Sequence, residues 1–194
     1  MKTKEDILQS TIPILAREGY AGTSMRKIAT AIGREPSTIY VHFTDKDHLL
    51  RETRLYIIKY LDQAQHYSEE ATASQLLRET LHFQFNNREM IVALLQYFMA
   101  AKDNFAQVAS SSGYIPEKAY EHMARVIRLG IDEGVYHSEN IGFDAKTSTH
   151  LVNGFLMEYY DRDMTEDELE RVIGLLHVFI ERALNKEERG GGAQ

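Results

Sequence analysis

From Pro36 the chain sets two adjacent hydroxyls (Ser37, Thr38), then a phenol (Tyr40), an imidazole (His42) and an ammonium (Lys46). Such groups can hydrogen-bond phosphate oxygens or base edges, and a helix beginning at Pro36 adds the unpaired N–H groups of its first turn. Other chemistries find little support. There is no cysteine, hence no thiolate nucleophile and no cysteine-held zinc. There is no GxSxG elbow, P-loop or dinucleotide glycine pattern, and no carboxylate pair stands out among 29 acids. The serine beside His137 in "HSEN" implies no triad, because triad partners meet in space rather than in sequence. His66, His82, His122, His137, His150 and His177 include no two residues three or four apart and no HExxH pattern. The expectation is a protein that is not an enzyme and that uses no cofactor and no metal.

The elements that must position these groups follow from local rules. Pro36 suits the first position of a helix, and it pushes Glu35 into extended backbone. That helix should run to about His42, anchored by Ile39 and Phe43. Before it, "GTSMRKIATAIG" predicts a short helix capped by Thr23 or Ser24, burying Met25, Ile28, Ala29 and Ile32 and ending at Gly33. Two short helices joined by a tight glycine turn form a helix-turn-helix pattern. On residues alone, a pair of core-packing helices with a solvated outer face is an equal alternative.

The remaining periodicity is helical, and with only three prolines the chain reads as all-α. A first helix spans Lys4 to Glu18, stopped by Gly19, with Pro13 kinking it near Gln9 to Pro13. Thr44 and Asp47 resemble a capping box for a helix from Asp45 to about Tyr67. Helices follow over Ala73 to Phe85, Arg88 to Lys102 and Pro116 to Gly134, with a polar bend "QVASSSGYI" before the last of these. "ENIGFDAK" reads as a loop with Asp144 capping the next helix, which ends near Tyr160. Thr165 and Glu168 then cap a helix to Leu184.

With 194 residues, 43% of them apolar, the chain can bury one large core or two modest ones. No stretch approaches the roughly 20 apolar residues of a membrane span, and the N-terminus lacks an apolar signal core, so a cytoplasmic protein is expected. The net charge of −7 is unevenly distributed: residues 1–54 carry nine basic and seven acidic side chains, which leaves −9 for the rest. That asymmetry suits a nucleic-acid-facing end joined to a part with another task.

Residues 16–50, "AREGYAGTSMRKIATAIGREPSTIYVHFTDKDHLL", resemble the N-terminal domain of the TetR family of transcriptional regulators. The resemblance lies in Gly19-Tyr20, Thr23-Ser24, "RKIATAIG", Ser37-Thr38, Ile39-Tyr40, His42-Phe43, Lys46 and Leu49. It implies a three-helix DNA-binding domain over residues 1–45 and a larger ligand-binding and dimerisation domain over 46–186; by its glycine-rich composition, 187–194 reads as a flexible tail. Carried over by position, it implies that Thr23, Ser24 and Arg26 meet phosphates or a base. Pro36, Ser37 and Thr38 would form the base-reading start of the third helix, and Tyr40, His42 and Lys46 would contact phosphate. Arg34 and Glu35 depart from the family pattern, and Glu35 would repel phosphate unless it accepts from a cytosine amino group.

The last two helices carry an apolar surface wider than one packed stripe. Val152, Phe155, Leu156, Tyr159, Val172, Leu176, Phe179 and Ile180 are candidates for a homodimer interface. Tyr97, Phe98, Tyr120, Met123 and Phe155, with Phe105 and Tyr114 among further aromatics, could line an apolar effector pocket or be ordinary core. The expected function is a repressor that binds a palindromic double-stranded DNA operator and is released by a small molecule. The alternatives are a dimeric helical adaptor and a metal-responsive DNA-binding regulator.

Overall fold

The computed structural model describes residues 3–68, 70–100 and 115–185, and among them all regular structure is helical. The helices are α1 (Lys4–Gly22), α2 (Met25–Ala31), α3 (Pro36–Tyr40), α4 (Lys46–Ala64), α5 (Ala73–Asn86), α6 (Arg88–Ala100), α7 (Ile115–Asp132), α8 (Ile141–Tyr159) and α9 (Glu166–Leu184). The bend at 107–114 and the tail at 187–194 lie outside the described residues, as do Phe105 and Tyr114.

Packing divides the chain into two units, the first formed by Met1–Ala64 with Asn87–Gly113, the second by Gln65–Asn86 with Tyr114–Gln194. The first holds α1 to α4 and α6; the second holds α5 and α7 to α9. This grouping by contact does not divide at residue 45: α4 and α6 pack with the three N-terminal helices. The core of the first unit joins Ile7, Leu8 and Ile14 of α1, Met25, Ile28 and Ala29 of α2, Ile32, Ile39, Phe43 and Leu49.

Helix α1 opens with a capping box in which the Thr3 hydroxyl accepts from the Asp6 N–H and the Asp6 carboxylate accepts from the Thr3 N–H. Helical dihedrals continue through Pro13; the interruption falls at Gly19, with φ 68° and ψ −179°. The helix runs unbroken through Gln9 to Pro13, as expected, with buried Ile7, Leu8, Thr11, Ile12, Ile14, Leu15 and Ala16 on both sides of the proline. The first turn of α4 also differs from expectation. Asp45, not Thr44, caps it: its carboxylate accepts from the His48 N–H at 2.7 Å, which also holds that carboxyl below its ordinary pKa.

In the second unit, α9 begins with the expected Thr165–Glu168 capping box. The cap of α8 is Asn140, whose Oδ1 accepts from the Phe143 N–H at 3.0 Å, whereas Asp144 accepts instead from the Ser138 hydroxyl at 2.6 Å. Buried threonines in both units (Thr11, Thr53, Thr80, Thr149) donate to the carbonyl four residues back, so none leaves its hydroxyl unsatisfied. The ends of α7 and α9 are tied by Tyr136, which is buried against Gly130 and donates to Glu181 at 3.2 Å.

Candidate nucleic-acid interface

The turn between α2 and α3 is built by two short-range signals. Gly33 takes φ 66°, a left-handed conformation that other residues adopt only with strain. Its N–H donates to Thr30 O at 3.0 Å and the Arg34 N–H donates to Ala29 O at 2.9 Å, the pair of bonds that closes a Schellman motif. Glu35 is extended, with φ −76° and ψ 149°, and Pro36 opens α3 as its rigid φ requires. Ile39 and Phe43 are fully buried and fix the rotation of α3 about its axis. Ser37 is thereby turned outward and Tyr40 is 55% exposed, while Thr38, His42 and Pro36 are half-buried at the edges.

The flanking contributions divide into presented and committed groups. Arg26 is exposed and has no side-chain partner among the described residues. Ser24 caps α2, its hydroxyl accepting from the Lys27 N–H at 3.3 Å. Thr23, expected at a phosphate, is 1% exposed; its hydroxyl donates to Gly19 O at 2.7 Å and closes α1. Its side chain is a structural cap and is unavailable to a ligand. Lys46 donates to Tyr20 O at 3.1 Å and stands 4.9 Å above the Tyr20 ring, so its ammonium is aimed by Tyr20.

Sequence reasoning missed Tyr20 in that role, because a long-range contact leaves no spacing signal. It also missed the cluster beside α2, where Lys27 binds the Glu18 carboxylate and Gly22 O at 2.8 Å, with Arg17 3.5 Å from the same carboxylate. Lys27 holds the Glu18 carboxyl below its ordinary pKa. A third omission, Val41, was legible: at 100° per residue it falls opposite Ile39 on α3.

Residues 7–53 match the sequence model of the bacterial regulatory proteins of the tetR family. Over those residues the chain is similar to the TetR family. It is similar to an uncharacterised HTH-type transcriptional regulator of Bacillus subtilis, YerO, at 29% identity over 114 residues, which is 59% of this chain and only 37% of the Bacillus protein. It is also similar to the biofilm operon HTH-type negative transcriptional regulator IcaR of Staphylococcus epidermidis, at 21% identity over 92% of this chain and the whole of the relative. Among solved structures, a putative transcriptional regulator of Saccharomonospora viridis in complex with choline shares the fold, with a TM-score of 0.72 at 21% identity over 94% of this chain and 97% of that one.

The remaining expected sites are distributed over both packing units. Tyr97 and Phe98 belong to the first unit, where Tyr97 is nearly buried between Tyr20 (ring centroids 5.7 Å), Phe98 (5.8 Å) and the Arg54 guanidinium (5.5 Å). Tyr120, Met123 and Phe155 belong to the second. Met123 is buried there, Tyr120 meets His150 Nε2 at 3.3 Å, and Phe155 stacks on Tyr159.

Of the residues expected at a dimer interface, Val152, Leu156, Val172, Leu176 and Ile180 are buried within their own chain, and Phe155 and Tyr159 are half-buried. Phe179 is 62% exposed, and Leu175 and Val178 share its outward side of α9. No helix among the described residues is long and apolar enough to cross a membrane, and none of their histidine and carboxylate groups cluster in threes as a metal site would need.

Proposed function

We propose that the protein is a repressor that binds a palindromic operator as a homodimer and is released by a small, mostly apolar effector. The observation that carries this reading is the outward face of α3. Ile39 and Phe43 are buried, while Ser37 and Tyr40 are exposed, and the same unit presents the exposed Arg26 and the Lys46 held by Tyr20. Base contacts come from Ser37 and Thr38, with Pro36 setting the start of the helix. Phosphate contacts come from Arg26, Tyr40, His42 and Lys46, with Ser24 fixing the start of α2. A slim helix of this kind enters the major groove with its first residues against base edges.

Repression, rather than activation, is supported by the name of the S. epidermidis relative, a negative regulator. The homodimer rests on the exposed Leu175, Val178 and Phe179 of α9. For the effector, Tyr120 and Phe155 of the second unit are the aromatic candidates. The test is selection of bound duplexes from a random pool by the purified full-length protein. A palindromic site bound with steep salt dependence is expected, because neutralised phosphates release counterions. Failure to enrich any sequence, with binding indifferent to salt, would remove the reading.

A further inference from the structure

Val41 continues the helical backbone at the end of α3, with φ −63° and ψ −31°. It lies one turn beyond Ser37 on the same side and about 200° around the axis from Ile39. It is 76% exposed, more than any other large apolar side chain among the described residues, while Ile39 and Phe43 on either side of it in sequence are buried. The fold therefore makes no use of its hydrocarbon. A β-branched side chain is stiff at χ1, so the isopropyl group is held in a narrow range of directions on the face that also carries the Ser37 hydroxyl.

In the major groove the base edges offer nitrogen and oxygen donors and acceptors and a single hydrocarbon group, the C5 methyl of thymine. We propose that Val41 reads a thymine methyl in each operator half-site and so determines specificity at that base pair. The inference rests on the operator-binding reading above and names a chemical group it would recognise. Contact between the two hydrocarbons excludes water from both, whereas the same valine against the N4 amino group of cytosine would strip that donor of water without a partner.

The test uses the full-length protein and the duplex it selects. Each thymine of the half-site is replaced in turn, symmetrically, by 2′-deoxyuridine, which deletes the methyl and keeps every donor and acceptor. At one position wild type should weaken about fourfold per half-site, the loss expected for one buried hydrocarbon group. 5-Bromo-2′-deoxyuridine, whose halogen is similar in size to a methyl, should restore the affinity.

Val41→Ala should bind the thymine and uracil duplexes equally and match wild type on the uracil duplex, with its melting temperature unchanged. A half-site without thymine, or uracil effects identical in wild type and Val41→Ala at every position, overturns the inference while leaving operator binding intact. Absence of any salt-dependent duplex binding instead overturns the operator reading, and this inference with it.

Discussion

The Tyr20 hydroxyl donates to the Asp47 carboxylate at 2.6 Å and fastens the end of α1 to the first turn of α4. Burial, and then this carboxylate, push the phenol's pKa well above its ordinary value. The same ring lies under Lys46 and edge-on to Tyr97, so one side chain joins three helices of the first unit. Tyr20→Phe keeps the ring and loses the hydrogen bond, and unfolding in urea should show a loss of about 0.5–1.5 kcal/mol. Tyr20→Ala removes the platform as well and should cost more, and operator affinity should fall with it because Lys46 is no longer aimed. Equal stability of the phenylalanine and alanine variants would contradict this role.

Arg26 and Lys46 should separate affinity from stability. The Arg26 side chain supports nothing in the described fold, so Arg26→Ala should leave the melting temperature unchanged. It should weaken binding to all duplexes and reduce the salt slope by about one for each protomer's lost phosphate contact. Lys46→Ala should lower both affinity and melting temperature, since it also removes the bond to Tyr20 O and the ring contact. An Arg26→Ala protein with the salt slope of wild type would take this residue out of the interface.

What the sequence made legible is what short-range rules control. Gly33, Pro36 and the Ile39/Phe43 spacing define the turn and the rotation of α3, and the Thr165–Glu168 box defines the start of α9 to the residue. The misplaced caps show the limit of those rules. Thr44 and Asp45 are adjacent candidates with similar chemistry, and which one takes the His48 N–H depends on where the chain leaves Phe43, whose buried ring lies 5.6 Å from that of His48. Thr23 looked equivalent to Ser24 for the same reason, yet only the structure commits its hydroxyl to Gly19 O. In α9 the apolar pattern is wide enough for two faces. Periodicity cannot say which one the chain keeps for itself.

Gly130 should be the least replaceable helical glycine of the second unit. Its φ is ordinary, so alanine is acceptable to the backbone, but a Cβ there would lie 2.0 Å from Tyr136 Cδ2. Tyr136 must then leave its buried site and its bond to Glu181, and Gly130→Ala should cost about 1–3 kcal/mol in urea unfolding. Gly142→Ala in the exposed first turn of α8, where a Cβ meets only Asn140 Oδ1 at 3.5 Å, should be neutral or stabilise by about 0.5 kcal/mol. Similar stability for the two variants would show that Tyr136 is not fixed there.

His122 should make stability depend on pH in a defined window. It stacks on Tyr67 at 4.2 Å and meets Thr80 Oγ1 at 2.8 Å, while that hydroxyl donates to Leu76 O; Nε2 therefore carries the proton. Burial first, and then the nearby Arg125, depress the imidazole's pKa to about 4. Between the ordinary value of about 6.5 and that one, the unfolded chain binds a proton that the folded chain does not. The contribution is thus complete above pH 6.5 and is lost as the pH falls toward 4, on the order of 2–3 kcal/mol at the lower end. The stability of wild type minus that of His122→Gln, measured by urea unfolding, should fall across that range and level off below it. A difference that stays constant with pH would mean that the folded imidazole titrates normally.

The two faces of α9 can be told apart by charge. Leu176 is 2% exposed and Phe179 62% exposed, although both belong to the same apolar pattern. Leu176→Glu places an unpaired carboxylate in the core, which should prevent folding or leave it only marginally stable. Phe179→Glu adds a carboxylate to a solvent-facing site, with a cost to the monomer within about 0.5 kcal/mol. In a dimer sealed by Leu175, Val178 and Phe179, the same change buries two like charges near the symmetry axis. Sedimentation at micromolar concentration should therefore report a folded monomer, and operator affinity should fall because the two half-sites are no longer bound by one particle. A Phe179→Glu protein that sediments as a dimer would move the interface to another surface, with Met157 and Phe143 of α8 the next exposed apolar side chains to test.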